Sequence, residues 1–295
     1  MSLTRSANED SVQGNVEKMV LKLHEDLNPS KFQQLELLRD SIKRIGKVCI
    51  AYSGGVDSSL IAVIAHEQLG SNAFAVTGVS PSLAPHLRKE AQLQAAWMGI
   101  KHTECMTKEI EDPNYNQNPL DRCFACKQEL HSHLSKIANN FKGSQVIDGV
   151  NVDDLTEHRP GIKAARLAGA RSPLAELGIR KSTIREISKA LGLPWWDKPS
   201  QPCLASRFHY GESITSERLE QVAKAEKWLI DEGFAEVRVR IQGLHAKIEV
   251  PINRMDELLL KVNREAIVDY FLSIGFTAVS VDLEGLISGK LNRER

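Results

Sequence analysis

At 295 residues, 42% hydrophobic and 26% charged, the chain is long enough for about two domains of the usual 100 to 200 residues and has the composition of a globular protein with a substantial core. Lysine plus arginine equals aspartate plus glutamate at 38 each, which excludes a global positive field that would recruit nucleic acid or an anionic membrane. No apolar run approaches the roughly 20 residues that span a bilayer, and the N-terminus, MSLTRSANEDSVQGN, lacks the apolar segment of a secretory signal, so a cytoplasmic protein with no membrane or nucleic-acid partner is expected.

The first half of the chain alternates as a βαβ protein does. The apolar runs KVCIAY, AFAVTGV, IKHTECM and SQVIDGV read as strands, and PHLRKEAQLQAAWMG and CKQELHSHLSKIANNF read as helices. The expected class is α/β, a Rossmann-like parallel sheet covered by helices, with its ligand beyond the carboxyl ends of the strands. After about Arg207 the pattern changes. SERLEQVAKAEKWLIDEG predicts an amphipathic helix ended by Gly233, AEVRVRIQG and HAKIEVP an antiparallel pair turning near Gly243, and INRMDELLLKVNREAIVDYFLSIG and AVSVDLEG a further helix and strand. The division expected is a nucleotide-binding domain over 1–206, with 1–27 as an N-terminal extension, and a smaller α+β domain over 207–295.

The stretch AYSGGVDSSL, from Ala51 to Leu60, places Ser53, Gly54 and Gly55 at the turn from the first strand into a helix. Glycines there permit positive φ and close approach of a ligand, and free amides backed by a helix dipole form an anion site suited to a phosphate chain. Ser53, Ser58 and Ser59 add hydroxyl donors. Asp57, an odd choice for a phosphate cradle, makes sense if it meets a Mg²⁺ carried by the nucleotide. The competing reading is a tight turn with a Ser or Asp helix cap. No Gly-Lys-Ser/Thr follows, so this is not a Walker loop.

Five cysteines are an odd count for a disulfide framework. Cys49 and Cys105 fall inside predicted strands and are expected in the core. Cys123 and Cys126, in DRCFACKQEL, sit just before or at the start of a helix, and Cys203, in QPCLASRF, lies at the expected domain junction. A CxxC pair alone suits a redox dithiol, half a zinc site or part of an iron-sulfur site, or is simply buried. Closed zinc coordination would need His131, His133 or His209 as fourth ligand, although His131 and His133 read as polar helix positions.

The string Ser53-Gly54-Gly55-Val56-Asp57-Ser58 resembles the PP-loop of the ATP pyrophosphatases, which cut ATP between the α and β phosphates, form an adenylate and let a nucleophile displace AMP. With GVNVDDLTEHRPGIKAA, GARSPLAELGIRKSTIRE, CLASRFHYGESIT and EVRVRI, the course from about Asn28 to Arg293 resembles the ATP-dependent sulfur transferases of the LarE type. The resemblance implies a small nucleotide substrate, a pyridinium dicarboxylate mononucleotide, whose carboxylate becomes a thiocarboxylate for the nickel-pincer cofactor. It implies ATP and Mg²⁺ as cofactors, sulfide or another sulfur donor as co-substrate, and a homo-oligomer. Cys123, Cys126 and Cys203 match the type thought to hold a 4Fe-4S cluster. The alternative is the type that sacrifices the sulfur of the loop cysteine, here Cys203.

The resemblance also carries Ser206, Arg207 and Glu226 over as functional positions beside Cys203. Asp148, Gly149, Asp153 and Asp154 follow the fourth predicted strand, on the ligand side, although the two neighbouring aspartates would serve equally as turn caps. Arg238 and Arg240 alternate on one strand, so both would grip a phosphate from one face unless that face is simply solvated. Lys127, beside the CxxC, would contact a phosphate or carboxylate; Glu226 reads equally as an exposed helix acid. A transfer-RNA thiolase of the same PP-loop class is the nearest rival, disfavoured by the balanced charge. A non-catalytic nucleotide sensor would leave the cysteines unexplained.

Overall fold

A computed structural model describes residues 21–141, 143–156 and 159–294. Residues 1–20 of the expected N-terminal extension, and Glu157 and His158 of the segment read after the fourth strand, lie outside the described residues. Helix α1 (Pro29–Ile45) starts at Asn28, whose side chain accepts from the Lys31 amide at 2.9 Å, with Pro29 in the first turn. Then come β1 (Val48–Ala51), α2 (Val56–Leu69), β2 (Ala73–Val79), α3 (Pro85–Met98), β3 (Lys101–Met106), α4 (Pro113–Asn116), α5 (Arg122–Asn140) and β4 (Gln145–Ile147). The four predicted strands form one parallel sheet in the order β3-β2-β1-β4. Because β1 pairs with β2 on one side and β4 on the other, the order reverses at β1, and the crevice outside β1 and β4 is the topological place for a ligand.

Helix α2 is buried almost throughout, from Val56 to Glu67, which suits an apolar run that lies between the sheet and other helices. Leu35, Ile42, Ile50, Leu60, Ile64, Met98 and Ile187 pack in this first core. On the opposite face, Phe74, Val76, Leu134 and Val146 close around Cys49 and Cys105, which are core residues as expected. Burial pushes the Cys49 thiol up to about 12, with the Cys105 thiol adding to the shift.

The segment from 160 to 190 holds three helices, α6 (Pro160–Leu167), α7 (Pro173–Glu176) and α8 (Lys181–Ala190), punctuated by Gly169 and Gly178 at positive φ. Beyond it lie α9 (Ser216–Asp231), β5 (Arg238–Gln242), β6 (His245–Glu249), α10 (Met255–Leu260), α11 (Arg264–Ser273) and β7 (Ala278–Val281). β5 and β6 are antiparallel, as predicted, and β7 joins β6 in parallel. The single helix expected over 252–275 is two. Asn263 accepts from the Glu265 and Ala266 amides at 2.9 and 3.3 Å and so starts a new helix. The second core, with Leu219, Val222, Val239, Ile248 and Phe271, also takes in Tyr115, Leu204, Ala205 and Phe208. The cysteine loop therefore packs against the second sheet.

One close approach fixes the crevice. A Cβ on Gly149, just after β4, would lie 2.6 Å from the Ser58 nitrogen and 2.9 Å from the Asp57 carbonyl carbon, so only glycine lets the β4 loop rest on the first turn of α2. Gly149→Ala is expected to lower stability by about 1–3 kcal/mol through forced backbone displacement, read by urea denaturation; a variant as stable as the parent would contradict that packing.

Candidate active site

Gly54 turns the chain at φ +70°, and a Cβ there would meet the Ala91 Cβ at 3.0 Å. The loop behind it is held by its own serines: Ser58 Oγ donates to the Gly55 carbonyl at 3.0 Å, and the Ser53 amide donates to Ser58 Oγ at 3.3 Å. Gly55 is the N-cap of α2 and no side chain caps the helix, so the first-turn amides are left for a ligand. Ser59 is placed elsewhere. It is fully buried and donates to Gln94 Oε1 at 3.2 Å beneath the loop.

Asp57 projects from that first turn. Its Oδ2 pairs with Lys181 Nζ at 2.5 Å, while Oδ1 is buried without a hydrogen-bond partner. Burial raises its pKa above the ordinary value, against the pull of Lys181. An orphaned carboxylate oxygen of this kind fits a hard divalent cation. Lys181, which the sequence reading missed, opens α8, where a cation opposes the helix dipole; that unfavourable placement was the available signal. Asp153 accepts from the Lys181 amide at 2.8 Å and from Arg180 at 3.1 Å, so it acts as a cap for α8. Asp154 accepts from the Asn151 amide at 3.0 Å and pairs with Arg159 at 2.8 Å. Asp148 is buried, accepts from the Val150 amide at 3.1 Å, and is raised in pKa by burial, with the Ser172 hydroxyl and that amide opposing.

Two cavities open on this loop. The smaller, about 440 Å³, is lined by Ala51, Ser53, Ser58, Cys123, Lys127 and Asp148, with Gly149 and Asp154 on its wall. The larger, about 560 Å³, runs to the second sheet and is lined by Lys181, Lys198, Arg238, Arg240, Ser206 and Lys290. Ser53, Asp57, Arg122, Arg159 and Tyr210 border both. The larger cavity is lined by seven lysines and arginines and by one acidic residue, Asp57, which suits an anionic ligand.

Cys123 and Cys203 are exposed and Cys126 is half-buried. Burial raises the Cys126 thiol, and the charges of Glu109, then Cys203 and Cys123, raise it further, with Lys127 opposing, so the three cysteines share one electrostatic neighbourhood. Among the described residues no three His, Cys, Asp or Glu side chains are close enough together to hold a metal ion. Glu109, absent from the sequence reading, is buried there; its Oε1 accepts from Ser80 and Ser82 hydroxyls at 2.5 and 3.2 Å and lies 4.0 Å from the Cys126 sulfur. His131 is not a surface position. It is 2% exposed and borders the smaller cavity, and burial followed by Lys127 pushes its pKa down to about 4. His133 pairs with Glu129 at 3.1 Å.

The cysteine loop is tied down on every side. The Leu204 amide donates to the Ser82 carbonyl at 2.9 Å, and Asn118 Nδ2 donates to the His209 carbonyl at 2.6 Å. Arg207 meets Glu226 in a buried fork, Nε to Oε1 at 2.8 Å and Nη2 to Oε2 at 2.9 Å, and its Nη1 donates to the Pro202 carbonyl and to Ser206 Oγ, both at 2.9 Å. Glu226 Oε1 also accepts from the Val239 amide at 2.9 Å, so this acid is buried rather than exposed on its helix. Arg240 donates to the Ser206 carbonyl and to Glu249 at 3.1 Å. Arg238 is buried beside it, and burial together with Arg207 and Arg240 lowers its pKa. Both strand arginines are thus buried and line the larger cavity.

Glu226→Ala should cost about 3–5 kcal/mol, because it strands the buried Arg207 guanidinium, whereas Arg207→Met with Glu226→Leu should cost less than that single change; urea denaturation of both reads the difference. His131 titrates near 6.5 when unfolded and near 4 when folded, so the unfolded chain takes up the proton first and stability falls as pH drops from about 6.5 to 4. The loss approaches about 3 kcal/mol, and His131→Asn should remove most of that slope.

The asparagine synthase family model matches residues 34–120, which span β1, the glycine loop and β3. An uncharacterised protein of Synechocystis is 51% identical over 88% of this chain and 97% of its own length. The pyridinium-3,5-bisthiocarboxylic acid mononucleotide synthase of Lactiplantibacillus plantarum is 34% identical over 85% of this chain and 91% of its own length. An uncharacterised protein of Methanocaldococcus jannaschii is 31% identical over 81% of this chain and 90% of its own length. With the glycine loop, its uncapped helix and the cysteine loop on one crevice, these likenesses show that the chain belongs to the LarE-type sulfur transferases of the PP-loop ATP pyrophosphatase family, enzymes that use ATP.

Proposed function

We propose that this enzyme adenylates a carboxylate of a pyridinium dicarboxylate mononucleotide and converts it to a thiocarboxylate for the nickel-pincer cofactor. The observation that carries the reading is the shared wall. The uncapped start of α2, with its unpartnered Asp57 oxygen, borders the same cavity as Cys123. The residues up to about 206 would hold ATP, and those beyond would close the acceptor's side with Arg238 and Arg240.

In the first step a carboxylate oxygen attacks the α-phosphorus, the bond from that phosphorus to the oxygen bridging it to the β-phosphorus breaks, and pyrophosphate leaves. The amides of the first turn of α2 and Lys181 stabilise the charge gathering on the departing phosphates. Asp57 is the residue that would hold Mg²⁺, which supplies charge neutralisation on the phosphate chain. In the second step sulfide adds to the acyl carbon and AMP departs with the acyl–oxygen electron pair. Cys123, Cys126 and Cys203, which are not close enough together here to hold a single metal ion, would have to draw together to hold a 4Fe-4S cluster, whose chemistry would be to deliver that sulfide. The exposure of Cys203 also suits the sacrificial route, in which its sulfur adds to the acyl carbon, AMP departs, and the Cβ–S bond then breaks with loss of the Cα proton, leaving the thiocarboxylate and dehydroalanine.

Asp57→Asn is expected to abolish pyrophosphate release with the mononucleotide, and Cys203→Ser to retain it while forming no thiocarboxylate. Anaerobically purified protein should contain about four iron atoms per chain, as the cluster's own composition requires, and turn over repeatedly with sulfide. Iron-free protein that completes one turnover and loses the mass of hydrogen sulfide would establish the sacrificial route instead.

A further inference from the structure

Among the described residues Arg122 has no partner that accounts for its charge. It is the first residue of α5 and 6% exposed, at the positive end of the helix dipole, where a cation is unfavourable. A guanidinium offers five N–H donors. Here Nη2 reaches the Ala205 carbonyl at a long 3.5 Å, the Tyr210 ring lies 5.3 Å from the guanidinium carbon, and Nε is buried with no hydrogen-bond partner. No carboxylate forms an ion pair with it among the described residues. By contrast, Lys181 has Asp57, Arg159 has Asp154, Arg240 has Glu249 and Lys198 has Glu90. A buried cation with unmade hydrogen bonds is costly unless an anion completes it.

Its place says which anion. Arg122 borders both cavities together with Ser53 and Asp57, so it stands at the seam where the phosphate chain meets the acceptor, and its neighbour in the chain is Cys123. Lys181 and the start of α2 line the larger cavity and in that reading would face the phosphates. We propose that Arg122 binds, through its fork, the carboxylate that is to be adenylated and orients one of its oxygens towards the α-phosphorus. This rests on the acyl-adenylation reading above and adds to it the residue that selects a carboxylate as the nucleophile.

The test compares the parent protein with Arg122→Gln and Arg122→Lys, each checked by thermal melting. Pyrophosphate release is followed against the mononucleotide, and binding of ATP and of free pyridine dicarboxylate is followed by calorimetry. Loss of a charged, forked contact should raise KM for the mononucleotide and weaken dicarboxylate binding by about 10-fold or more, with ATP affinity within about 2-fold, and the lysine variant should recover only part of the loss. If the glutamine variant does not fold, the lysine variant carries the comparison. A weakened ATP affinity with unchanged KM for the acid would assign Arg122 to the nucleotide and overturn the proposal, as would a lowered melting temperature with both affinities intact. If the parent releases no pyrophosphate with the mononucleotide, the substrate reading fails, while the dicarboxylate comparison still decides the role of Arg122.

Discussion

The fork between Arg207 and Glu226 is the contact on which the shape of the site depends. It joins the loop that carries Cys203 to the helix and strand of the second sheet, and the same arginine holds the Pro202 carbonyl and Ser206 hydroxyl. Two charges removed from water rarely add net stability over a well-packed apolar pair, but removing one of them is severe. What such a pair supplies is direction: both oxygens and three nitrogens are committed to named partners, so the loop has one position relative to Val239 and hence to Arg238 and Arg240. In that position Pro202 and Ser206 of the loop line the larger cavity together with Arg238 and Arg240.

On the other wall the design is the reverse. The first turn of α2 is left unfinished, with glycine as N-cap and no side-chain acceptor. Asp57 keeps one oxygen bonded and one orphaned. Among the buried side-chain atoms of the described residues that lack a hydrogen-bond partner, Asp57 Oδ1, Arg122 Nε and His131 Nδ1 belong to residues that line this crevice, and unsatisfied buried groups are uncommon in folded proteins. Tied down on the side of the cysteine loop, the site leaves hydrogen-bonding groups unpartnered on the side of α2.

Much of this was legible in the sequence because the signals are local. Alternating strands and helices predict a parallel sheet, and a glycine pair between β1 and α2 predicts a phosphate cradle at its carboxyl edge. The same logic fails where the partner is remote. Arg207 and Glu226 are 19 positions apart and Asp57 and Lys181 are 124 apart, and no periodicity links such pairs. His131 looked polar on its helix, yet the face it occupies is covered, because burial is decided by what packs on a helix and not by its own sequence. The break between α10 and α11 rests on one capping asparagine, Asn263, inside a pattern that otherwise continues as one helix.

The cysteine corner carries the remaining argument. Cys126 lies beside a buried carboxylate and within the field of two further thiols, and each of these opposes ionisation. Left to itself such a thiol stays protonated and inert. A cysteine that is to bind metal or sulfur must be deprotonated, so this environment favours reactivity only when positive charge arrives to offset Glu109 and the neighbouring sulfurs. Lys127 supplies one charge from the next position in the chain. Cys123 and Cys203, being exposed, are the two thiols of this corner open to solvent. The electrostatics of this corner therefore disfavour a nucleophilic thiolate at Cys126.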